Sequence, residues 1–385
     1  MATINQIAPL LNATAKEIWG KNAPTVKDLS GLIALGNTVL SSDKNKEVFL
    51  RTISDRIKRT NIRVLDLEIE MPKILLDEES YFGILQKIDV QPMEVKEDNS
   101  WNIGENDYVS TIWDINKPIV EQSLFNNISA FIIPVTVPDV LYKSAFTSER
   151  DMASFISAIF GTIEQSLIMY INALTHLALC NLIAERSKEN KIINLLGLYN
   201  DTFTTESTKL TASVALYNQR FLQFSAMIIR NYMKYLNTPS VLYNNGTKIR
   251  ATARDNMHVL MLTDYVSAYT TYFESSSFHN ELIELPNYAE LSYWQNNGQN
   301  PIFANNSKVN VIPSSEEEED TPTAQIVTGV ICVLADRQAI GVCLTEDWSG
   351  SDRNNRERFT NYTYGANRGY FNDLSENAII FNIAD

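Results

Sequence analysis

Histidines are the side chains best suited to acid–base or metal chemistry near neutral pH, and this chain has three of them. His176, His258 and His279 lie in three different sequence contexts, and no HEXXH motif is present. Isolated histidines are more often hydrogen-bonding structural residues than ligands or catalytic bases. We therefore predict a structural role for each.

Carboxylates and thiols could also bind a metal ion. Glu316–Asp320 is a run of acids, but it lacks the alternating oxygen spacing of a calcium loop and predicts an exposed loop tip. Cys180, Cys332 and Cys343 are odd in number and show no CxxC spacing. This pattern favours small buried side chains in a reducing cytosol, and the N-terminus shows no secretion signal.

Motifs for nucleophilic or phosphate chemistry are missing from the sequence: there is no GxSxG, GxxxxGK[ST] or GxGxxG. Trp101, Trp113, Trp294 and Trp348 lie in polar stretches, where tryptophans are typical of interface or local-core anchors. The sequence therefore predicts no enzyme, and no catalytic, cofactor-binding or metal-binding residue.

Charge is unevenly distributed along the 385 residues. The whole chain carries a net charge of -14, which argues against tight binding to nucleic-acid backbones. Residues 1–63 hold ten lysines and arginines against five acids, a net +5, so the remainder sums to -19. A basic segment on an acidic body predicts an arm that lies on an acidic surface, such as that of a neighbouring copy.

One long helical pattern, predicted over residues 148–188, organises the chain. Apolar residues recur at helical spacing from Ile156 to Ile183 without a proline, and about 40 residues would form a rod of about 60 Å. Polar residues such as Asn172 and His176 interrupt the apolar run. The pattern therefore favours an amphipathic helix packed on a sheet or a neighbouring subunit over a membrane span.

The residues before this helix predict short helices and then strands. The predicted helices are Asn5–Trp19, Val26–Leu40 and Lys46–Thr60. Residues 63–71 alternate with a period of two, and Ile128–Tyr142 is a second β-rich run whose prolines confine it to a sheet edge or a strand end. Since the intervening stretch 91–117 is long and polar, we predict a β-rich excursion that leaves the body near Val64 and returns near Pro134.

The residues after the long helix predict a mixed region that ends in strands. The predicted elements are one amphipathic helix over Thr211–Leu236, a strand over His258–Thr263, a helix over Asp264–Phe273, two strands over Gln325–Leu344 joined by a turn near Asp336–Gln338, and strands over Phe359–Tyr364 and Ala378–Ile383 around a turn-rich segment 366–377.

Four segments carry a family resemblance. Ala251–Tyr269 and Ser277–Gln295 look like the central region of capsid proteins from small podophages of Gram-positive hosts. Val330–Val342 is similar to the strand-turn-strand late in those sequences, and Ala366–Ile383 to their closing segment. With this order of elements, the chain resembles the major capsid protein of tailed bacteriophages, of the Hong Kong 97 type fold.

The resemblance implies an α+β fold with an N-arm, an extended β-hairpin E-loop, a long spine helix, and peripheral and axial domains. The implied bounds are 1–62 for the helical N-terminal arm, 63–133 for the E-loop and flanking strands, 134–245 and 346–385 for the peripheral domain with its spine helix 148–188, and 246–345 for the axial domain.

The resemblance also implies a function. Such a protein self-assembles into pentamers and hexamers of an icosahedral head shell, which encloses double-stranded DNA without sequence-specific binding and without a membrane or cofactor. Scaffolding, portal and head-decoration proteins are the implied partners. The implied location is the virion, after assembly in the host bacterial cytoplasm. Two alternatives remain: an encapsulin-type nanocompartment shell, or another phage structural protein such as a connector or tail component.

Overall fold

A computed structural model describes residues 4–27, 29–42, 44–45, 48–49, 52, 70–71, 74–76, 85–93, 95, 115–125, 127–140, 162–205, 208–246, 248–274, 288–295, 300–313 and 323–385. The helices along these residues are α1 (Ile4–Trp19), α2 (Leu29–Leu40), α3 (Thr162–Lys188), α4 (Leu195–Phe203), α5 (Ala212–Ala215), α6 (Gln219–Leu236), α7 (Thr263–Glu274) and α8 (Phe303–Asn306). The strands are β1 (Leu75–Leu76), β2 (Leu85–Val90), β3 (Val120–Phe125), β4 (Ile128–Pro138), β5 (Ile192–Asn194), β6 (Met257–Leu262), β7 (Ala289–Leu291), β8 (Val309–Val311), β9 (Gln325–Val327), β10 (Val330–Asp336), β11 (Ile340–Asn354), β12 (Phe359–Asn372) and β13 (Ala378–Asn382). The α+β class is confirmed.

The chain divides into two compact units. The first unit comprises Met1–Glu70, Ser129–Ala173 and Thr345–Arg368, and the second comprises Met71–Ile128, Leu174–Leu344 and Gly369–Asp385. The domain bounds implied by the family resemblance remain predictions.

The core of the first unit joins the N-terminal helices to strands. Apolar residues of α2 recur one helical turn apart and pack with residues of α1, β4 and β12. The buried members of this core are Leu11, Ala15, Val26, Leu32, Leu35, Val39, Phe49, Val137, Tyr362 and Tyr364. The side chain of Asn12 fixes the connection between α1 and α2, because it bonds both the N–H (2.6 Å) and the carbonyl (2.9 Å) of Val26.

Strand β4 lies at an edge of its sheet, next to β12, as its prolines predict. Pro134 and Pro138 lack an N–H, so an edge position leaves fewer ladder hydrogen bonds unmade. Residues of β4 alternate in burial along the strand, and Val137 points into the core of the first unit.

Strand β12 is longer than the sequence predicts. The turn assigned from Ala366 onward is wrong up to Asn372, because the strand continues through it. Gly365 lies within this strand, and a Cβ there would lie 2.0 Å from Cε2 of Trp348 on β11. The glycine makes room for the indole beside the strand, so a residue typical of turns serves strand packing here.

The second unit is built around a sheet of order β5-β13-β10-β6-β7, buried on both faces. The antiparallel partners of β10 are β13 and β6. Alternate residues of each strand enter two separate apolar clusters: Val259, Leu334 and Phe381 pack with α4, α6 and α7, whereas Val333 and Ile380 pack with α3. This explains the almost uninterrupted apolar sequences of these strands.

Several predicted elements are confirmed, and a second prediction besides the turn after Ala366 is wrong. Predictions for α1, β6, α7, β13 and the turn after β10 agree with the structure within about two residues, the usual uncertainty of helix and strand ends. The helix predicted over Thr211–Leu236 is broken into α5 and α6, because Asn218 caps α6 by accepting a hydrogen bond from the N–H of Phe221 (3.1 Å). The long helix ends at Lys188 as predicted.

Some predictions fall outside the described residues. These are the first part of the long helix, 148–161, and most of the predicted helix Lys46–Thr60 and strand 63–71.

We expect Gly329→Ala to destabilise the protein by more than about 2 kcal/mol, because the residue has φ +71° and its added Cβ would lie 1.9 Å from the carbonyl oxygen of Ile383. Gly246→Ala is the matched control, with φ +81° and nothing within 4 Å of its Cβ. Urea unfolding of both variants measures the difference. Equal losses would show that backbone strain, not the close approach of Ile383, sets the cost.

Candidate functional site

The hairpin of β2 and β3 has two chemically different faces. Its strands pair antiparallel with Ile88 opposite Gln122 and Asp89 opposite Glu121. Because successive side chains of a strand point to opposite faces, Lys87 and Asp89 share one face and Ile88 and Val90 the other. Lys87 and Asp89 are largely buried, whereas Ile88 and Val90 are each 61% exposed.

The exposed face of this hairpin carries four large apolar side chains together with Gln86 and Gln122. We call Ile88, Val90, Val120 and Leu124 the outer face; Val120 is 56% exposed and Leu124 59%. Exposed large apolar side chains are also found in the flanking residues, at Met93, Val95, Ile115 and Ile119. Several exposed apolar side chains close together in a folded chain usually mark an interaction site.

The opposite face of the hairpin rests on a buried network of ion pairs. We call this network the ionic seat, and its members are Lys87, Asp89, Lys248, Arg250, Asp373 and Glu376. Nζ of Lys87 lies 2.6 Å from Oδ2 of Asp373 and also contacts Oε1 of Glu376. The hairpin is thereby tied to the turn between β12 and β13.

Asp89 is the second contact of the hairpin with the ionic seat. Its Oδ2 lies 2.7 Å from Nζ of Lys248 and 2.8 Å from Nη2 of Arg250. Lys248 also reaches Glu121 on β3 (3.0 Å), and Arg250 reaches Glu376 (3.1 Å). Since Arg250 contacts both Asp89 and Glu376, the two contacts form one network.

Arg186 of α3 binds the turn that carries Asp373 and Glu376. Its fully buried guanidinium donates to the carbonyl oxygens of Leu374 (3.0 Å) and Glu376 (2.6 Å). Phe125 at the end of β3 packs on Phe371 with a centroid distance of 5.2 Å. Arg186 therefore fixes the turn on which the hairpin rests, and Phe125 adds a direct contact between the hairpin and the residue before that turn.

The carboxylates of the ionic seat have shifted pKa values. Burial acts to raise the pKa of Asp89, but pairing with Lys248 and Arg250 outweighs it and lowers that pKa below 3.8. For Asp373, burial is likewise outweighed, by Lys87 and Ser375, so its pKa is also lowered. Burial prevails at Glu376 and raises its pKa above 4.5 despite Lys87.

The residues that the sequence singled out for chemistry do not form a site. Nδ1 of His176 lies 3.1 Å from the carbonyl oxygen of Trp294, which also accepts from the thiol of Cys180 (3.1 Å). His258 is buried in β6, and His279 lies outside the described residues. Within the described part of the chain, no three His, Cys, Asp or Glu side chains are grouped as metal ligands would be.

The cysteines are buried and free, as predicted. Burial raises the pKa of the Cys180 thiol to about 12, so this thiol is not a nucleophile at neutral pH.

The tryptophans that the structure describes differ in role. Trp294 is a core residue whose Nε1 donates to the carbonyl of Val330 (2.7 Å), whereas Trp348 is 40% exposed. Trp101, Trp113 and the acidic run 316–320 lie outside the described residues.

Segment Gln165–Lys188 of α3 is long and apolar enough to span a membrane by length and composition, but 56% of its most apolar window is buried inside the protein. A core helix passes the same test, and α3 contributes Leu179, Leu182 and Ile183 to the core of the second unit.

A hairpin that presents several apolar side chains to solvent is typical of a protein that binds another molecule through this surface, such as a subunit of an assembly. The sequence profile of the family described as Phi29-like phage major capsid protein matches residues 11–382. The chain therefore belongs to this family and is a major capsid protein of a phage head shell. The family resemblance is confirmed at this level, and the match does not favour the encapsulin or connector alternatives.

Several solved phage capsid structures are similar to this chain. The capsid of Staphylococcus phage Andhra is 9% identical, with 85% of this chain and 87% of that chain covered and a TM-score of 0.49. The capsid of cyanophage P-SCSP1u is 11% identical, with 81% and 86% covered and a TM-score of 0.42. The mature capsid of bacteriophage PhiM1 is 6% identical, with 80% and 89% covered and a TM-score of 0.42. No curated protein matches the chain.

We expect Asp89→Asn to lower the free energy of unfolding by about 3 kcal/mol, because it leaves Lys248 and Arg250 buried without a shared carboxylate. Glu376→Gln should cost clearly less, because the raised pKa shows that its charged form is disfavoured where it lies. Urea unfolding at pH 7 compares the two variants. A larger loss for Glu376→Gln would contradict this assignment.

The shifted pKa values of Asp89 and Glu376 also predict how the stability of the fold depends on pH. A carboxylate with a lowered pKa stabilises the fold above its ordinary pKa, 3.8 for aspartate, and loses this contribution as the pH falls through the lowered value. The stability difference between wild type and Asp89→Asn should therefore shrink below pH 3.8. Glu376 has a raised pKa, so its contribution to the stability of the fold is present at low pH and is lost as the pH rises through the raised value. Urea unfolding between pH 7 and pH 3 measures the trend, and a constant difference would refute it.

Proposed function

We propose that the outer face of the β2–β3 hairpin is a main contact by which copies of this chain form the head shell. The observation that carries the proposal is the orientation of the hairpin: Lys87 and Asp89 are buried against its own unit, whereas the outer face is exposed. A hairpin that served only its own chain would be stabilised by the reverse arrangement.

Burial of the outer face supplies a driving force for assembly. Covering one Ile, Leu or Val side chain completely contributes roughly 1.5–3 kcal/mol, so four half-exposed residues supply several kcal/mol per contact. Their partner in this proposal is an apolar surface of a neighbouring copy. A shell repeats the contact many times, so that a modest contact suffices.

The finer features of the assembly belong to the same proposal. Copies join into pentamers and hexamers of an icosahedral shell of the Hong Kong 97 type, which is assembled in the host bacterial cytoplasm and encloses double-stranded DNA. Residues 1–62 are the N-arm, 63–133 the E-loop, 134–245 and 346–385 the peripheral domain and 246–345 the axial domain. Scaffolding, portal and head-decoration proteins are further partners. The shell has a structural and not an enzymatic role, in keeping with its family.

Ile88→Glu with Leu124→Glu tests the contact. We expect this variant to form at least tenfold fewer shells, because two carboxylates would have to be desolvated in an apolar interface. Its urea midpoint should stay that of wild type, since both side chains point to solvent. Electron microscopy and sedimentation count the particles.

Val214→Glu is the control, because Val214 is an apolar side chain of similar exposure (50%) on α5 and not in the hairpin. It should assemble as wild type does. Normal shells from the double variant would refute the proposal.

A further inference from the structure

The outer face of the hairpin is available to a partner as long as the hairpin keeps one orientation. A two-stranded hairpin has two faces, and a shift of one residue in its packing exchanges them. The face that packs on the second unit carries Lys87, Asp89 and Glu121, and the opposite face carries the apolar residues of the outer face. The contacts that hold the hairpin in this orientation therefore also control the outer face.

Lys248 of the ionic seat binds both strands of the hairpin. Its Nζ lies 2.7 Å from Oδ2 of Asp89 on β2 and 3.0 Å from Oε2 of Glu121 on β3. These two acids are opposite each other in the antiparallel pair, so one ammonium group fastens both strands at the same position. The Lys248 side chain is 7% exposed, which is too little to reach a neighbouring copy. It therefore acts on its own hairpin.

The loop 240–250, which carries Lys248, is fixed by hydrogen bonds. Ser240 and Arg250 near its two ends exchange two backbone hydrogen bonds of 3.0 Å. The side chain of Asn244 is fully buried and donates to the carbonyl oxygen of Lys248 (2.8 Å). These contacts hold the backbone of Lys248 in place beneath the hairpin.

The same loop connects the hairpin with the turn between β12 and β13. The N–H of Asn245 donates to the carbonyl oxygen of Leu374 in that turn (3.1 Å). The N–H of Ile249 donates to Oε1 of Gln91, the residue that follows β2 (3.4 Å). Lys248 is thus placed between two anchored segments, and its position relative to the hairpin is determined by the fold of the second unit.

An ion pair selects one arrangement more strictly than an apolar contact does. Apolar side chains pack on one another in many ways, whereas a buried ammonium group requires a carboxylate at short distance. A hairpin that turned Ile88 and Val90 toward the loop would leave Lys248 buried without Asp89. That arrangement is unfavourable, so the charge of Lys248 excludes it.

We propose that Lys248 is a positioning residue for shell assembly: held by the loop 240–250, it fixes the β2–β3 hairpin with its outer face toward solvent. The inference rests on the hairpin contact proposed above and deepens it. A subunit that lacks the ammonium group folds but assembles poorly, because its hairpin is no longer preorganised for the contact.

The test is Lys248→Met in the full-length protein, since methionine is unbranched and apolar. We expect at least tenfold fewer shells by electron microscopy and sedimentation, because preorganisation of the contact is lost. Hydrogen exchange of the β2 and β3 amides should become faster in subunits kept below the concentration at which shells form, with a much smaller change in β10. Lys248→Arg should behave as wild type, because a guanidinium group can donate to both carboxylates.

Gly329→Ala is the control for stability, because it is expected to weaken the fold while every member of the ionic seat stays in place. Lys248→Met should lose many more shells than this control at an equal or smaller loss of urea midpoint. Equal losses of shells would overturn the proposal, since lower stability alone would then explain them. A loss of shells in Lys248→Met with wild-type exchange in the hairpin would overturn it as well.

Glu121→Gln keeps the test decisive if Lys248→Met fails to fold. The Glu121 side chain is 50% exposed, so its replacement removes the link from Lys248 to β3 with little effect on the core. We expect a wild-type urea midpoint, faster exchange in β3 and about threefold fewer shells, the effect of one partly exposed ion pair. Wild-type yield or wild-type exchange in β3 would contradict the role of Lys248.

The outer-face variant separates this inference from the function on which it rests. If Ile88→Glu with Leu124→Glu abolishes shells while Lys248→Met assembles normally, the hairpin contact stands and the role of Lys248 is wrong. If the double variant assembles normally, the hairpin contact itself is wrong, and the role of Lys248 falls with it.

Discussion

The burial of charge beneath the β2–β3 hairpin is the constraint on which the functional surface depends. Lys87 and Asp89 alternate with Ile88 and Val90, so the strand has to turn one pair toward its own unit and the other toward solvent. The charged pair is turned inward because it forms ion pairs there with Lys248, Arg250, Asp373 and Glu376. The apolar pair is left for a partner.

A network of this kind contributes orientation more than stability. Desolvation of buried ions largely offsets their attraction, and an apolar replacement is often as stable. However, an apolar seat would accept the hairpin with its apolar face down, which would remove the exposed surface. Charged groups with specific partners exclude that alternative, since the inverted hairpin would bury Lys248 and Arg250 without Asp89.

The rest of the second unit supports this surface. The sheet is buried on both faces, with α3 on one side and α4, α6 and α7 on the other. The cysteines and the histidines His176 and His258, which the sequence offered as candidates for chemistry, are buried side chains. Cys180 and His176, for example, both contact the carbonyl of Trp294 and serve packing.

Local periodicity in the sequence determined the helices α1 and α7, the buried strands β6 and β13, and the burial of the cysteines, because each depends on residues a few positions apart. Only the tertiary structure decided the break at Asn218, the length of β12 opposite Trp348, and the direction in which the hairpin faces. Charged and apolar residues alternate from Lys87 to Val90 of β2, and the usual assumption that apolar residues point inward gives the opposite of the orientation in the structure. Lys87 meets Asp373 across 286 positions of sequence, and a pairing over that distance is settled by the path of the whole chain and not by any local pattern.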